Sequence, residues 1–359
     1  MRLQSLPRRA ITPLPSGANG LWRQIGWCAL FLAALVIISL TAGGQGVLLS
    51  IVISYCIWAT AGSAWNIISG FGGQLSFGHA VFFGTGAYTM AILSTRQDVS
   101  PWLGMLAGGV VASVLAVLIG IPTFRLRGPY FALGTWAVAQ AAYDLAGWWT
   151  GFTGGDDGIY LSAGTGFSAM QWGNLHAFAL VAIGVLGVTL AVVIAIRRSR
   201  LGYLLLAVRD DQSAAVAVGV WPLRAKLTGL VISAFFTAVA GALLGRYLSV
   251  VSPDEFLSVT VSTTILLVTF VGGLATISGP LVGALLIIPI QQWLQLQFGS
   301  VDSTLTFQIG VGLFLILVAI VLPQGVWGGL VDLARLAKRR RKVGAPPPQA
   351  PVVTEAVRS

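Results

Sequence analysis

In the run GFGGQLSFGHAVFFGTGA at 70–87, Gln74, Ser76 and His79 stand among glycines inside a long apolar stretch. A buried polar side chain without a hydrogen-bond partner costs roughly 2–7 kcal/mol. Such groups therefore either tie neighbouring helices together or line a path for a solute. Gly72, Gly73 and Gly78 let backbone unwind in the same segment. Unwound backbone at membrane depth is tolerated only when it is shielded by protein or borders a cavity. Paired glycines recur at Gly272 and Gly273, in VGGLATISGPLVGA at 271–284. The two stretches are candidates for equivalent elements of two structural repeats. For His79 alone, a hydrogen-bonded core histidine is the expected state, because nothing nearby completes a metal site. For the cluster, helix contact and path lining are equally supported. The candidate path residues are Gly72, Gly73, Gln74, Ser76, Gly78, His79, Gly272 and Gly273.

A second polar feature is TGGDDG at 153–158. Asp156 and Asp157 beside turn glycines have cation-site chemistry, but the spacing fits no calcium loop, so a solvated turn is expected. Arg246, Asp254 and Glu255 suggest a further charge cluster at the same end. Catalytic readings find no footing. The chain has no Gly-x-Ser-x-Gly elbow, no His-Glu-x-x-His and no Cys-x-x-Cys. It also lacks G-x-x-x-x-G-K-[ST], so it does not bind ATP through a P-loop. No catalytic residue, metal or cofactor is expected.

The elements that position these groups follow from composition. Hydrophobic residues make up 56% of the 359 residues and charged residues 9%, with mean hydropathy +0.86. A soluble chain carries about 25% charge, so this is a polytopic membrane protein. The formal charge of +10 therefore reflects topology and not nucleic-acid binding. A span needs roughly 20 apolar residues. That ruler places all-α spans near 26–43, 46–68, 72–95, 101–122, 129–149, 174–196, 226–250, 258–276, 280–298 and 304–322, about ten in all.

With both termini cytoplasmic, 19 of the 21 Lys and Arg residues fall on the inner side, leaving Arg96 and Arg246 outside. Trp102, Trp148, Trp149, Trp172, Trp293 and Trp327 stand near expected span ends, where indole rings prefer the interface. Residues 1–25 read as a cytoplasmic arm leading into a retained first helix. Residues 26–330 read as the transmembrane domain, and 331–359 as a basic, Pro-rich cytoplasmic tail. Cys28 and Cys56 lie in apolar runs and read as buried thiols.

One charged island interrupts the spans. Residues 197–226 read RRSRLGYLLLAVRDDQSAAVAVGVWPLRAK. A central Arg or Asp costs about 2.5–3.5 kcal/mol on insertion scales, so this loop lies outside the bilayer. Arg209, Asp210 and Asp211 precede a small-residue stretch in which Ala214 and Ala217 share a helical face. Such a pattern fits a slim helix seated in the groove of a soluble partner, ahead of a merely solvated loop.

The chain resembles permease subunits of the branched-chain amino acid ABC importer family, of the LivM type. The resemblance covers nearly all of 50–330. It rests on WNIISGFGGQLSFGHAVFFGTGAYT at 65–89, RLRGPYFALGTWA at 125–137, TGGDDGI at 153–159 and RSRLGYLLLAVRDDQSAAVAVGV at 198–220. SPDEFLSVTVSTTILLVTFVGGLATISGPLVGA at 252–284 and LPQGVWG at 322–328 complete it.

Several expectations follow from the resemblance. The 202–219 loop would dock on an ATPase, with Gly202, Arg209, Asp210, Ala214, Ala215 and Gly219 at the matching positions and Asp211 beside them. The partners would be a second, LivH-like permease, two cytoplasmic ABC ATPases and an extracytoplasmic solute-binding protein, in a lipid bilayer of the bacterial inner membrane. The small-molecule substrate would be a branched-chain or related amino acid, with urea or short amides the alternative in the same family. Ala275 departs from the family pattern, which often has Gly there. A stand-alone carrier or channel is the rival of another class, and the near absence of ionisable residues in the spans argues against it.

Overall fold

The computed structural model describes residues 18–41, 46–126, 128–161, 164, 166–172 and 174–298. Among them the chain is helical almost throughout. The helices are α1 (Ala18–Thr41), α2 (Gly46–Trp65), α3 (His79–Arg96), α4 (Pro101–Thr123) and α5 (Pro129–Trp148). They continue as α6 (Thr150–Thr153), α7 (Leu175–Arg198), α8 (Arg200–Asp210), α9 (Gln212–Ala217) and α10 (Pro222–Leu248), then α11 (Pro253–Phe256), α12 (Val259–Gly272) and α13 (Gly279–Phe298). The helix boundaries have local causes. Pro101, Pro129, Pro222 and Pro253 open their helices, where the missing N–H has no intrahelical partner to lose. Asn174 accepts from the Ala177 N–H and starts α7.

Among the described residues, five stretches are long and apolar enough to cross a membrane: Gly46–Phe71, Pro101–Thr123, Leu175–Arg198, Pro222–Leu248 and Pro253–Gly272. Gly26–Thr41 and Gly279–Trp293 are shorter apolar helices. Three expected boundaries move. α1 begins at Ala18, inside the expected N-terminal arm. The span expected from 72 begins only at His79, because residues 72–78 are irregular. α12 ends at Gly272, with a second irregular segment before α13. The expected span 304–322, the tail 331–359 and residues 1–17 of the arm lie outside the described residues.

α10 is the central post, packed along α3, α4 and α2, while α7, α12 and α13 pack on α2. Small residues permit this. A Cβ at Gly86 of α3 would collide with the Ala238 carbonyl of α10, and one at Gly241 of α10 with the Phe83 carbonyl of α3. In lipid, where no hydrophobic force joins two helices, close backbone approach supplies the attraction. Trp58 and Phe83 stack at 5.5 Å, and Phe83 and Phe256 at 5.9 Å, filling the space between helices. Cys28 and Cys56 are free and buried, as expected. Away from the core, Leu103, Leu106, Val110, Val114 and Leu118 form an exposed apolar face on α4.

α7 and α10 have 24 and 27 residues, or roughly 36 and 40 Å at 1.5 Å per residue. They therefore separate two ends of the molecule. One end carries α8 and α9. The other carries α6, the 3-10 turn Gly155–Asp157 and α11. It also carries a two-stranded antiparallel ribbon of β1 (Ile159–Tyr160) and β2 (Val250–Val251), paired Ile159 to Val251 and Tyr160 to Val250.

Candidate functional site

α2 does not end at Trp65 but widens into one π-helical turn, Asn66–Phe71, before the backbone leaves helical geometry. Single π turns inside helices are rare and concentrate at functional places. The irregular segment that follows exposes Gly73 and Leu75 but buries Gly72, Ser76 and Gly78, and buried backbone needs partners within the protein. It finds them in side chains of α2 and α5 and in its own Ser76, while α12 holds the first turn of α3. Trp65 Nε1 donates to the Ser76 carbonyl at 2.9 Å. The Phe77 N–H donates to Thr135 Oγ1 of α5 at 3.1 Å. The Gly78 N–H donates to Ser76 Oγ at 3.3 Å, and the Ala80 N–H to Ser262 Oγ of α12 at 2.9 Å.

His79 is fully buried and sits at the centre of this network. Ser233 Oγ donates to the Ala64 carbonyl at 2.7 Å, so it accepts from His79 Nε2 at 2.9 Å. His79 Nδ1 pairs with the Ser76 hydroxyl at 3.0 Å. Both ring nitrogens are used, and Trp65 and Phe82 meet the ring edge-on. His79 is thus the satisfied core histidine, joining α3 to α10.

Asn66, a residue the sequence reading passed over, ties the two glycine-rich breaks together. Its Nδ2 donates to the Thr276 carbonyl at 2.7 Å, and its Oδ1 accepts from the Ala275 N–H at 2.9 Å. A side-chain amide that matches one carbonyl and one N–H of a loop holds that loop like an added strand. The signal was visible in principle: a lone Asn at the end of an apolar run must be partnered. Ala275 has φ 61°, the left-handed region that L-residues avoid. That is the physical reason glycine suits this position in the family pattern.

Arg209 supplies the third link. Its Nη1 donates to the Gly70 carbonyl at 2.7 Å, inside the π turn. Its stem lies on Gly73, which has φ +68°, and a Cβ there would approach Arg209 Cγ to 2.7 Å. Burial opposes the Arg209 charge and draws its pKa below the arginine norm, while neighbouring Asp210 acts the other way. The charged island is therefore two helices, not the single one expected. Asp211 is extended and breaks the chain, and its Oδ1 caps α9 by accepting from the Ser213 and Ala214 N–H groups at 2.8 and 3.0 Å. Lys226 Nζ donates to Gln212 Oε1 at 2.9 Å and holds α9 to the start of α10.

The expected docking positions divide in two. Asp210, Asp211, Ala214 and Gly219 are exposed, together with Val216, Ala217 and Val218. Gly202 and Ala215 are buried. Gly202 packs on the Ile196 carbonyl and allows the tight α7–α8 corner. Val218 and Trp221 are 80% and 65% exposed and enlarge the surface beyond the residues expected from sequence. Of the expected path residues, Gly72, Ser76, Gly78, His79, Gly272 and Gly273 are buried, Gly73 is exposed and Gln74 is half-buried. At the opposite end Asp254 accepts a hydrogen bond from Tyr143, while Arg246 donates to Gln171 Oε1 at 2.7 Å.

Comparison with known proteins agrees with this architecture. The family described as branched-chain amino acid transport system, permease component, matches residues 47–322. The chain is 28% identical over 293 residues to the high-affinity branched-chain amino acid transport system permease protein LivM of Escherichia coli K12, covering 75% of this chain and 67% of that one. It is 26% identical over 321 residues to the L-arabinose ABC transporter permease protein AraH of Azospirillum brasilense, covering 82% of this chain and 87% of that one. It is 31% identical over 141 residues to LivH of Escherichia coli K12, covering 39% of this chain and 43% of that one. No solved structure matches the chain.

Proposed function

The chain belongs to the branched-chain amino acid transport system permease family, a membrane permease component and not an enzyme, and from that premise we propose that it imports amino acids by coupling to separate ATPases. In this reading α8 and α9 face the cytoplasm of a bacterial inner membrane. Asp210, Ala214, Val216, Ala217, Val218 and Gly219 dock on one of two ATPase subunits. A second, LivH-like permease completes the pore, and an extracytoplasmic binding protein delivers the solute. Residues 26–330 are the transmembrane domain, and Gly73 with Gln74 borders the path.

The observation that carries the reading is the Arg209–Gly70 hydrogen bond. An ATPase that closes on ATP moves the surface it holds. Arg209 connects that surface to the π turn of α2, and Asn66 connects the π turn to the break between α12 and α13. A push at α8–α9 thus reaches both glycine-rich breaks through three hydrogen bonds. Bistable packed elements of this kind amplify small displacements.

Branched-chain amino acids are the first substrate class, through the LivM likeness. The likeness to AraH favours a second reading, a neutral sugar. Urea and short amides remain the third class to test. The experiment is purification from the native membrane in mild detergent, followed by uptake of leucine, arabinose and urea into vesicles containing what co-purifies. Two P-loop ATPases and a second permease should accompany the wild-type chain, and Val216→Asp with Val218→Asp should release the ATPases while the second permease stays. A chain recovered alone and folded would remove the importer reading.

A further inference from the structure

At the end opposite α8 and α9, four elements bring phenols and carboxylates together. Tyr143 of α5 donates its hydroxyl to Asp254 of α11. One turn further along α5, Gly147 leaves room for Asp156, whose Oδ1 lies 3.1 Å from where a Cβ would stand. On α3, Gly84 packs against Phe256 and Leu257, and Tyr88, one turn on, shares that face. Tyr88 is 7% exposed. Its buried hydroxyl has no hydrogen-bond partner among the described residues, and α11, which carries Asp254, packs on both α3 and the 3-10 turn that carries Asp156.

Asp156 and Asp254 remain open to solvent. No group of three or more His, Cys, Asp and Glu among the described residues is arranged to hold a metal ion. Two carboxylates with two phenols suit a ligand that is singly charged and rich in donors. An ammonium group has three donors and one positive charge, and charge-assisted hydrogen bonds to carboxylate are the strong kind. A hydroxyl with an unused oxygen lone pair beside them adds a neutral acceptor.

We propose that Tyr88, Tyr143, Asp156 and Asp254 form a site for the ammonium group of an amino acid entering from the outer face. The site rests on the amino-acid reading above and adds to it a means of selecting for the amine. A neutral sugar or an α-hydroxy acid has nothing to place there. Asp254 gives up its bond to Tyr143 as the ammonium arrives, so entry also frees α5 from α11.

The test uses the complete transporter in vesicles with its leucine-loaded binding protein, and two readouts: leucine uptake and affinity of the binding protein for the permease. Asp254→Asn, Asp156→Asn and Tyr88→Phe should each slow leucine uptake about tenfold, the loss of one charge-assisted or buried hydrogen bond, with docking affinity unchanged. Asp254→Glu should restore uptake in part, which also shows that the position tolerates change. Asp157→Asn, at an exposed neighbour outside the cluster, should leave uptake as it is. Unchanged uptake in the Asn variants overturns the proposal. Docking affinity that falls in parallel with uptake also overturns it, and assigns the acids to contact with the binding protein. If the wild-type transporter takes up arabinose or urea but not leucine, the amino-acid reading itself fails and the site fails with it.

Discussion

At the scale of the residue, Arg209 has the most to lose by substitution. Sequence logic gave it to the partner surface, but its guanidinium turns inward to the Gly70 carbonyl. Its loss should therefore disconnect ATP hydrolysis from uptake without releasing the ATPase. Arg209→Gln forfeits a charge-assisted bond worth about 1.5–3 kcal/mol, and Arg209→Glu adds repulsion against the same carbonyl. The expected outcome for both is an assembled transporter that hydrolyses ATP at wild-type rate with uptake reduced tenfold or more. Wild-type uptake by Arg209→Glu would remove Arg209 from the coupling route. Ala275 gives a prediction of opposite sign. With φ 61° it bears a left-handed strain of roughly 1–2 kcal/mol. Ala275→Gly should relieve about 1 kcal/mol of that, read as a higher midpoint of thermal unfolding in detergent. No shift, or a lower midpoint, would mean that the Asn66 clamp already meets the cost elsewhere.

At the scale of the element, the α3–α10 crossing is the least forgiving contact. Gly86 and Gly241 each face a carbonyl of the other helix, so any side chain must push two backbones apart. Overpacking of this kind costs about 1–3 kcal/mol. Gly86→Leu should lower the yield of folded protein and break the His79–Ser233 bond that joins the same two helices. Protease resistance of the purified variant reads this directly, and a variant as resistant as wild type would show that the crossing can yield. The two glycine-rich stretches look alike in sequence for a reason visible here: each is a helix break, and Asn66 fastens the second to the first. The side chains that close the network, Ser233, Ser262 and Thr135, came from remote helices. Their spacing in the chain carried no hint that they would meet.

At the scale of the whole molecule, charge asymmetry makes a prediction about sidedness. The exposed residues Ser213 on α9 and Asp157 beside the ribbon lie at opposite ends. In a variant with Cys28 and Cys56 replaced, Ser213→Cys should react with a membrane-impermeant maleimide only from inside, and Asp157→Cys only from outside. Labelling of both from one side would contradict the positive-inside assignment. The same asymmetry arranges the molecule for its proposed work, with a partner surface at one end, a carboxylate–phenol cluster at the other and α7 and α10 spanning between them.

The sequence by itself determined the class of the protein and most of its helices. Apolar length and charge placement are one-dimensional quantities, and a bilayer reads them one span at a time. Sequence also marked 197–226 and the two glycine-rich stretches, because polar or flexible residues stand out against an apolar background. Only the tertiary structure decided what those marks mean. His79 became a structural hub because Ser233 lies 154 positions away in the chain yet 2.9 Å away in space. Arg209 became a strut because Gly70 stands at the end of the π turn, where the last carbonyls of a helix have no partner within it. Asn66 gained its importance from a loop more than two hundred residues later. Hydrogen bonds are short-range and directional, so their partners are fixed by packing, and packing is what a linear pattern does not contain.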